Sequence, residues 1–204
     1  MRNVFWATAA VLLLTIGSHA QTTAPAGLGK IRITGWALSM ANTATGANQT
    51  IQIDINKWSP PGQRDQLITT FMEKKQDGLL SALQKLPENG RWRFPGYMGP
   101  DPDNIYRLGT PLRYTANQPL DDGGRRIVIM TDRIIGFREA VNQPRAIDYP
   151  FTLMEMHFDK EGKGEGRMSW FTQINFDKKK QVIEIENYSS EPVRLNNLKL
   201  EEVK

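Results

Sequence analysis

Apolar and polar residues alternate one for one in two stretches near the start of the folded chain. Ile31 and Ile33 alternate with Arg32 and Thr34, and Trp36 and Leu38 extend the run; Ile51, Ile53 and Ile55 then alternate with Gln52, Asp54 and Asn56. Successive strand side chains point to opposite faces, so a period of two predicts two half-buried strands. Residues 39–50 between them are polar and read as a loop. At Trp58 the period changes. Ser59 offers a capping hydroxyl and Pro60 a first-turn proline, while Leu67, Ile68, Phe71 and Met72 recur at helical spacing, which predicts a helix over about residues 60–75. Asp77-Gly78 can cap a second, short helix with the stripe Leu79, Leu80, Leu83 and Leu86, ended by Pro87 and Gly90. The two predict a helical hairpin packed on the sheet.

Prolines and glycines crowd residues 91–120 and leave only short strand-like pieces around Trp92, Tyr106 and Tyr114. Asp121-Asp122-Gly123-Gly124 then makes a turn into Ile127, Val128, Ile129 and Met130, four contiguous apolar residues that suit a central strand buried on both faces. Further strands are expected over residues 147–159, 167–176, 181–188 and 193–200. The stretch 161–166 (EGKGEG) reads as a glycine-rich turn and Lys178-Lys179-Lys180 as a solvated hairpin tip. These last strands should form a meander. Regular turn signals in a chain with few helices predict an α+β fold. Its frame is a mostly antiparallel sheet of eight or nine strands, curled or closed into a barrel, with the helical hairpin inserted.

The N-terminus changes the picture of where the protein works. One charge at Arg2, an apolar run over residues 4–16 and small residues at Ser18 and Ala20 read as a signal peptide of residues 1–20. The run is too short to span a bilayer. Residues 21–29 are small, polar and Pro/Gly-rich and read as a flexible lead, so a single domain is expected over residues 30–204, with no transmembrane segment in the mature chain. The expected location is periplasmic or extracellular. With no cysteine in the sequence, neither a lipid-anchoring cysteine nor a disulfide contributes, and stability rests on core packing. The net charge of +4 falls to +3 without Arg2, and the lysines are scattered, so nucleic acid is not an expected partner.

The inventory of reactive groups is short. His19 falls in the leader, leaving His157 as the one histidine of the mature chain. One histidine and no cysteine exclude the usual zinc centre and a thiol nucleophile, and no G-x-S-x-G elbow is present, so no metal or other cofactor is expected. His157 shares a strand face with Glu155, which could orient it as a general base; a hydrogen-bonded structural histidine fits the same pattern. Asp101 and Asp103 in a Pro-rich loop suit a tight turn as well as an oxygen-ligated cation. Every cation over residues 86–159 is arginine, nine in all, interleaved with Trp92, Phe94, Tyr97, Tyr106, Tyr114 and Phe137. Guanidinium grips carboxylate or phosphate with paired hydrogen bonds. Arg125, Arg126, Arg133 and Arg145 are therefore candidates for an anion-binding site, the alternative being internal ion pairs.

Residues 122–158 (DGGRRIVIMTDRIIGFREAVNQPRAIDYPFTLMEMHF), residues 57–68 (KWSPPGQRDQLI) and PVRLNNLKLEE near the end resemble a group of uncharacterised exported bacterial proteins. The resemblance implies export from a bacterium and supplies no catalytic residues. Two kinds of function fit the residues: a non-catalytic module binding a small anionic ligand or an envelope protein, and a hydrolase-like enzyme using His157 with a carboxylate.

Overall fold

The alternating segments become strands of one curled sheet. In the computed structural model, residues 28–39, 48–95, 109–135, 151–170, 173–177, 182–186 and 193–203 are described. The strands are β1 (Lys30–Leu38), β2 (Asn48–Ile55), β3 (Gly90–Arg93), β4 (Thr110–Leu112), β5 (Tyr114–Pro119), β6 (Arg125–Thr131), β7 (Thr152–Phe158), β8 (Lys163–Trp170), β9 (Gln173–Asp177), β10 (Val182–Glu186) and β11 (Val193–Val203). Nine of them form one antiparallel sheet in the order β4-β3-β2-β1-β11-β8-β7-β6-β5. Its two outermost strands, β4 and β5, are successive pieces of one segment separated by Arg113 alone, so the sheet curls back on itself into a nearly closed barrel. At the seam the Arg113 backbone N–H donates to Met130 O at 3.0 Å and the Asn89 N–H to Leu112 O at 2.8 Å.

Period-two alternation fills the barrel. Ile31, Ile33, Ile51, Ile53, Ile55, Trp92, Ile127, Ile129, Met154, Met156, Phe158, Met168, Val193, Leu195 and Leu198 point inward, each no more than 2% exposed. Almost none of their surface is open to water, so the lumen is a packed core. Two inward positions of β8 are glycines because the space is taken: a Cβ on Gly164 would lie 2.6 Å from Phe158 Cδ1, and one on Gly166 2.7 Å from Met156 Cγ. These glycines were expected in a turn. The turn instead closes earlier, over residues 159–162, with Gly162 at φ 78.

The four contiguous apolar residues of β6 split as expected. Ile127 and Ile129 enter the lumen, while Met130 and Val128 face outward beneath the helix α1 (Gln63–Lys85). Leu67, Phe71, Leu79 and Leu83 of α1 cover Tyr114, Met130 and Phe151. The run consists of two helical segments that meet at a kink at Lys75 (φ 56, ψ −150), the residue where the first of the two expected helices was to end. Ser59 does not cap it. Gly62 does, while Ser59 Oγ accepts hydrogen bonds from the Thr115 N–H and Asn89 Nδ2, both 3.1 Å, fastening the chain to the barrel seam.

The expected terminal meander is interrupted. Among the described residues β9 and β10 pair only with each other, and β11 takes the place beside β8, closing the sheet onto β1. The inward residues Val193, Leu195 and Leu198 supply the apolar face which that position needs. Tyr106, Asp101, Asp103 and the Lys178-Lys179-Lys180 tip lie outside the described residues.

Candidate functional site

Strand alternation places Leu153, Glu155 and His157 on the outer face of β7. Leu153 packs against the cluster under α1; Glu155 and His157 lie beyond it. On β6, Arg126 sits directly across from His157. Glu155 Oε1 accepts from Arg126 Nε at 2.6 Å and lies 3.0 Å from His157 Nε2, while Arg126 Nη1 donates to Gln118 Oε1 at 3.4 Å. Partial burial pushes the Glu155 carboxyl up, but the hydrogen bonds and positive charges of Arg126 and His157 outweigh it and hold it below its ordinary value. The His157 and Glu155 side chains are 52% and 41% exposed.

This chain of groups holds an imidazole but gives it little to do. His157 Nε2 is spent on an oxygen that Arg126 already shares, and the cross-strand neighbours of His157 are Arg126 and Glu165 rather than a hydroxyl nucleophile. The outer surface of a barrel is convex, whereas a general base works in a cleft that positions its substrate and excludes water.

The three described candidates, Arg125, Arg126 and Arg133, do not converge. Arg125 occupies an inward register position at the start of β6, opposite Phe158, and Arg126 faces outward beside it. Arg133 is exposed and lies beyond the other end of β6, at least about 16 Å along the strand at 3.3 Å per residue. The Arg133 carbonyl accepts from the Thr131 and Thr152 hydroxyls, which pins the chain as it leaves the sheet. Arg145 is outside the described residues. Other arginines pair internally: Arg91 with Glu88, and Arg93 with Asp54 at 3.1 Å. Arg113 Nε is 3.2 Å from Asp132 Oδ2, near enough for charge attraction but out of line for a hydrogen bond.

A second constellation escaped the sequence reading. On the outer face of β1, β2 and β3, Asp54 accepts from Arg32 Nε at 2.6 Å, Arg93 Nη1 at 3.1 Å and Gln52 Nε2 at 2.8 Å. Trp36 lies on the same face and is 44% exposed, the larger of two exposed big apolar side chains among the described residues. Parity was the available signal: even-numbered Trp36 belongs with Arg32 and Thr34, not with Ile31 and Ile33. Across from it the chain bulges. Trp36 pairs with Asn196 and Thr34 with Lys199, so Asn197 and Leu198 both stand against Gly35, and Asn197 adopts φ 50. A Cβ on Gly35 would come within 2.7 Å of Leu198 Cδ2.

Among the described residues no group of three His, Cys, Asp or Glu side chains could hold a metal ion, and no helix is long and apolar enough to cross a membrane. No family model matches the chain, and neither does any curated protein or solved structure.

Proposed function

We propose that this protein is an exported, non-catalytic binding module whose ligand docks on the outside of the barrel. The packed lumen carries this reading, because inward positions that line a cavity in a carrier are here closed against one another. With the lumen filled, the outer face is left for a ligand. There Arg126 and His157 are tied to Glu155, an arrangement that orders side chains without activating one. Export rests on the N-terminal pattern and on the resemblance to exported bacterial proteins. Intact-mass analysis of secreted protein should find Gln21 at the N-terminus; retained residues 1–20 would contradict it.

The hydrolase reading keeps one favourable observation, the 3.0 Å contact between His157 and Glu155. Chromogenic ester, phosphoester and glycoside substrates separate the two. A binding module shows no turnover that His157→Ala removes, and a histidine-dependent rate would replace the module with an enzyme.

A further inference from the structure

An exposed tryptophan in the middle of a sheet calls for a reason. β1 is an interior strand, paired with β2 on one side and β11 on the other, so Trp36 guards no edge. Its neighbours across the strands are Thr50 and Asn196, too small to cover an indole, and no described ring stacks on it. The bulge at Asn197 breaks the ladders of β11 with β1 and with β8 at this point. Bulges re-aim side chains, and this one pairs Asn196 with Trp36 and puts the exposed Asn197 next to it in the chain.

The surroundings select the chemistry. Toward β3 the outer face continues with Thr34, Gln52 and Arg93 in one cross-strand row and with Arg32 and Asp54 in the next. Two guanidiniums share one carboxylate there, each through a single nitrogen, which leaves one net positive charge and unspent donors at that end. At sheet spacings Trp36 and Arg93 lie roughly 12 Å apart, a span that fits a short oligosaccharide. An indole face is electron-rich and stacks against the C–H face of a sugar ring, while amides and hydroxyls meet its hydroxyl groups. A protein partner would favour a contiguous apolar patch, and a polynucleotide a run of uncompensated cations. Neither is present here, since Glu201 on the same face is 2.6 Å from Lys199.

We propose that the outer face of β1, β2, β3 and β11 docks a carboxylated oligosaccharide, with a sugar ring stacked on Trp36 and a carboxylate at Arg32 and Arg93. The proposal rests on the reading of the protein as a module that binds outside its barrel.

Isothermal titration of the mature protein with trigalacturonate, with its methyl ester and with a single-stranded oligonucleotide tests it. Trigalacturonate should bind, the ester more weakly. Trp36→Ala should weaken binding about thirtyfold, as loss of a hot-spot aromatic does, and Trp36→Phe should retain part of it. Arg93→Gln should remove the preference for acid over ester and leave residual binding of both. Circular dichroism melts confirm that each variant is folded. The proposal is overturned if neither saccharide binds, if Trp36→Ala binds as tightly as the parent, or if the oligonucleotide competes equally. Binding that survives every outer-face substitution, or trigalacturonate cleavage that His157→Ala abolishes, would instead sink the underlying reading.

Discussion

The two halves of the barrel's outer surface follow opposite rules. Over β5, β6 and β7 the outward positions nearest α1, Tyr114, Ala116, Val128, Met130 and Leu153, are apolar and the chain supplies α1 to cover them, while Arg126, Glu155 and His157 lie beyond it. Over β1, β2 and β3 the outward positions are Arg32, Thr34, Thr50, Gln52, Asp54, Arg91 and Arg93, and no described element lies on them. Trp36 breaks the second rule. A fold that hides outward Met130 and Phe151 so completely leaves an indole bare on the other side, so the first half serves stability and the second is free to serve recognition.

The largest expected effect tests the covered half. Phe71 is 6% exposed and packs in the cluster between α1 and the sheet, so Phe71→Ala should cost about 3–5 kcal/mol in denaturant unfolding. A loss no larger than that of an exposed substitution would break the contrast, because α1 would then be a loose attachment.

Next comes the seam that joins the halves. The Asn89 side-chain amide donates to Ser59 Oγ and Thr115 Oγ1, both 3.1 Å, while the Asn89 backbone carbonyl separately receives the Asn56 and Lys57 N–H groups. Asn89→Ala strands buried polar partners and should cost about 1–3 kcal/mol by the same measurement. Near-neutral behaviour would mean that water replaces the amide.

Smaller again is the acid dependence of the Arg126, Glu155 and His157 group. Because the Glu155 pKa is lowered on folding, its contribution is present above the ordinary value near 4.5 and is lost as pH falls through the lowered one. Glu155→Gln should flatten the acid limb of the stability profile while changing neutral stability by no more than about 1 kcal/mol, since the pair is half exposed and screened. An unchanged acid limb would remove Glu155 from the pH response.

Trp36→Ala should lie at the bottom of the series, within about 0.5 kcal/mol of the parent in chemical denaturation. A cost comparable to that of Phe71→Ala would show that Trp36 is structural after all.

Much of this architecture is legible in the sequence wherever a period is clean. The alternation of Ile31, Ile33, Ile51, Ile53 and Ile55, and the contiguous run of β6, locate inward faces because a strand offers side chains two directions only. Tertiary choices are less legible. Nothing local says that β11 rather than β9 pairs with β8, or that Gly164 and Gly166 lie inside a strand, since both depend on side chains brought from elsewhere. At the site, the sharing of a face by His157 and Glu155 follows from parity. Arg126 opposite His157 does not, because it depends on the register between β6 and β7. A run of arginines in sequence likewise gives no convergence in space: strand geometry sends Arg125 and Arg126 to opposite faces and carries Arg133 to the other end.

The division of the outer surface is tested most directly by assigned ¹⁵N–¹H NMR spectra of residues 21–204 during titration with trigalacturonate. Perturbations should gather at the Trp36 indole and at the amides of Thr34, Gln52, Asn196 and Asn197, leaving Met130, Leu153 and the residues of α1 in place. Shifts centred instead on inward residues such as Ile129 and Met156, or on the group around His157, would contradict the account.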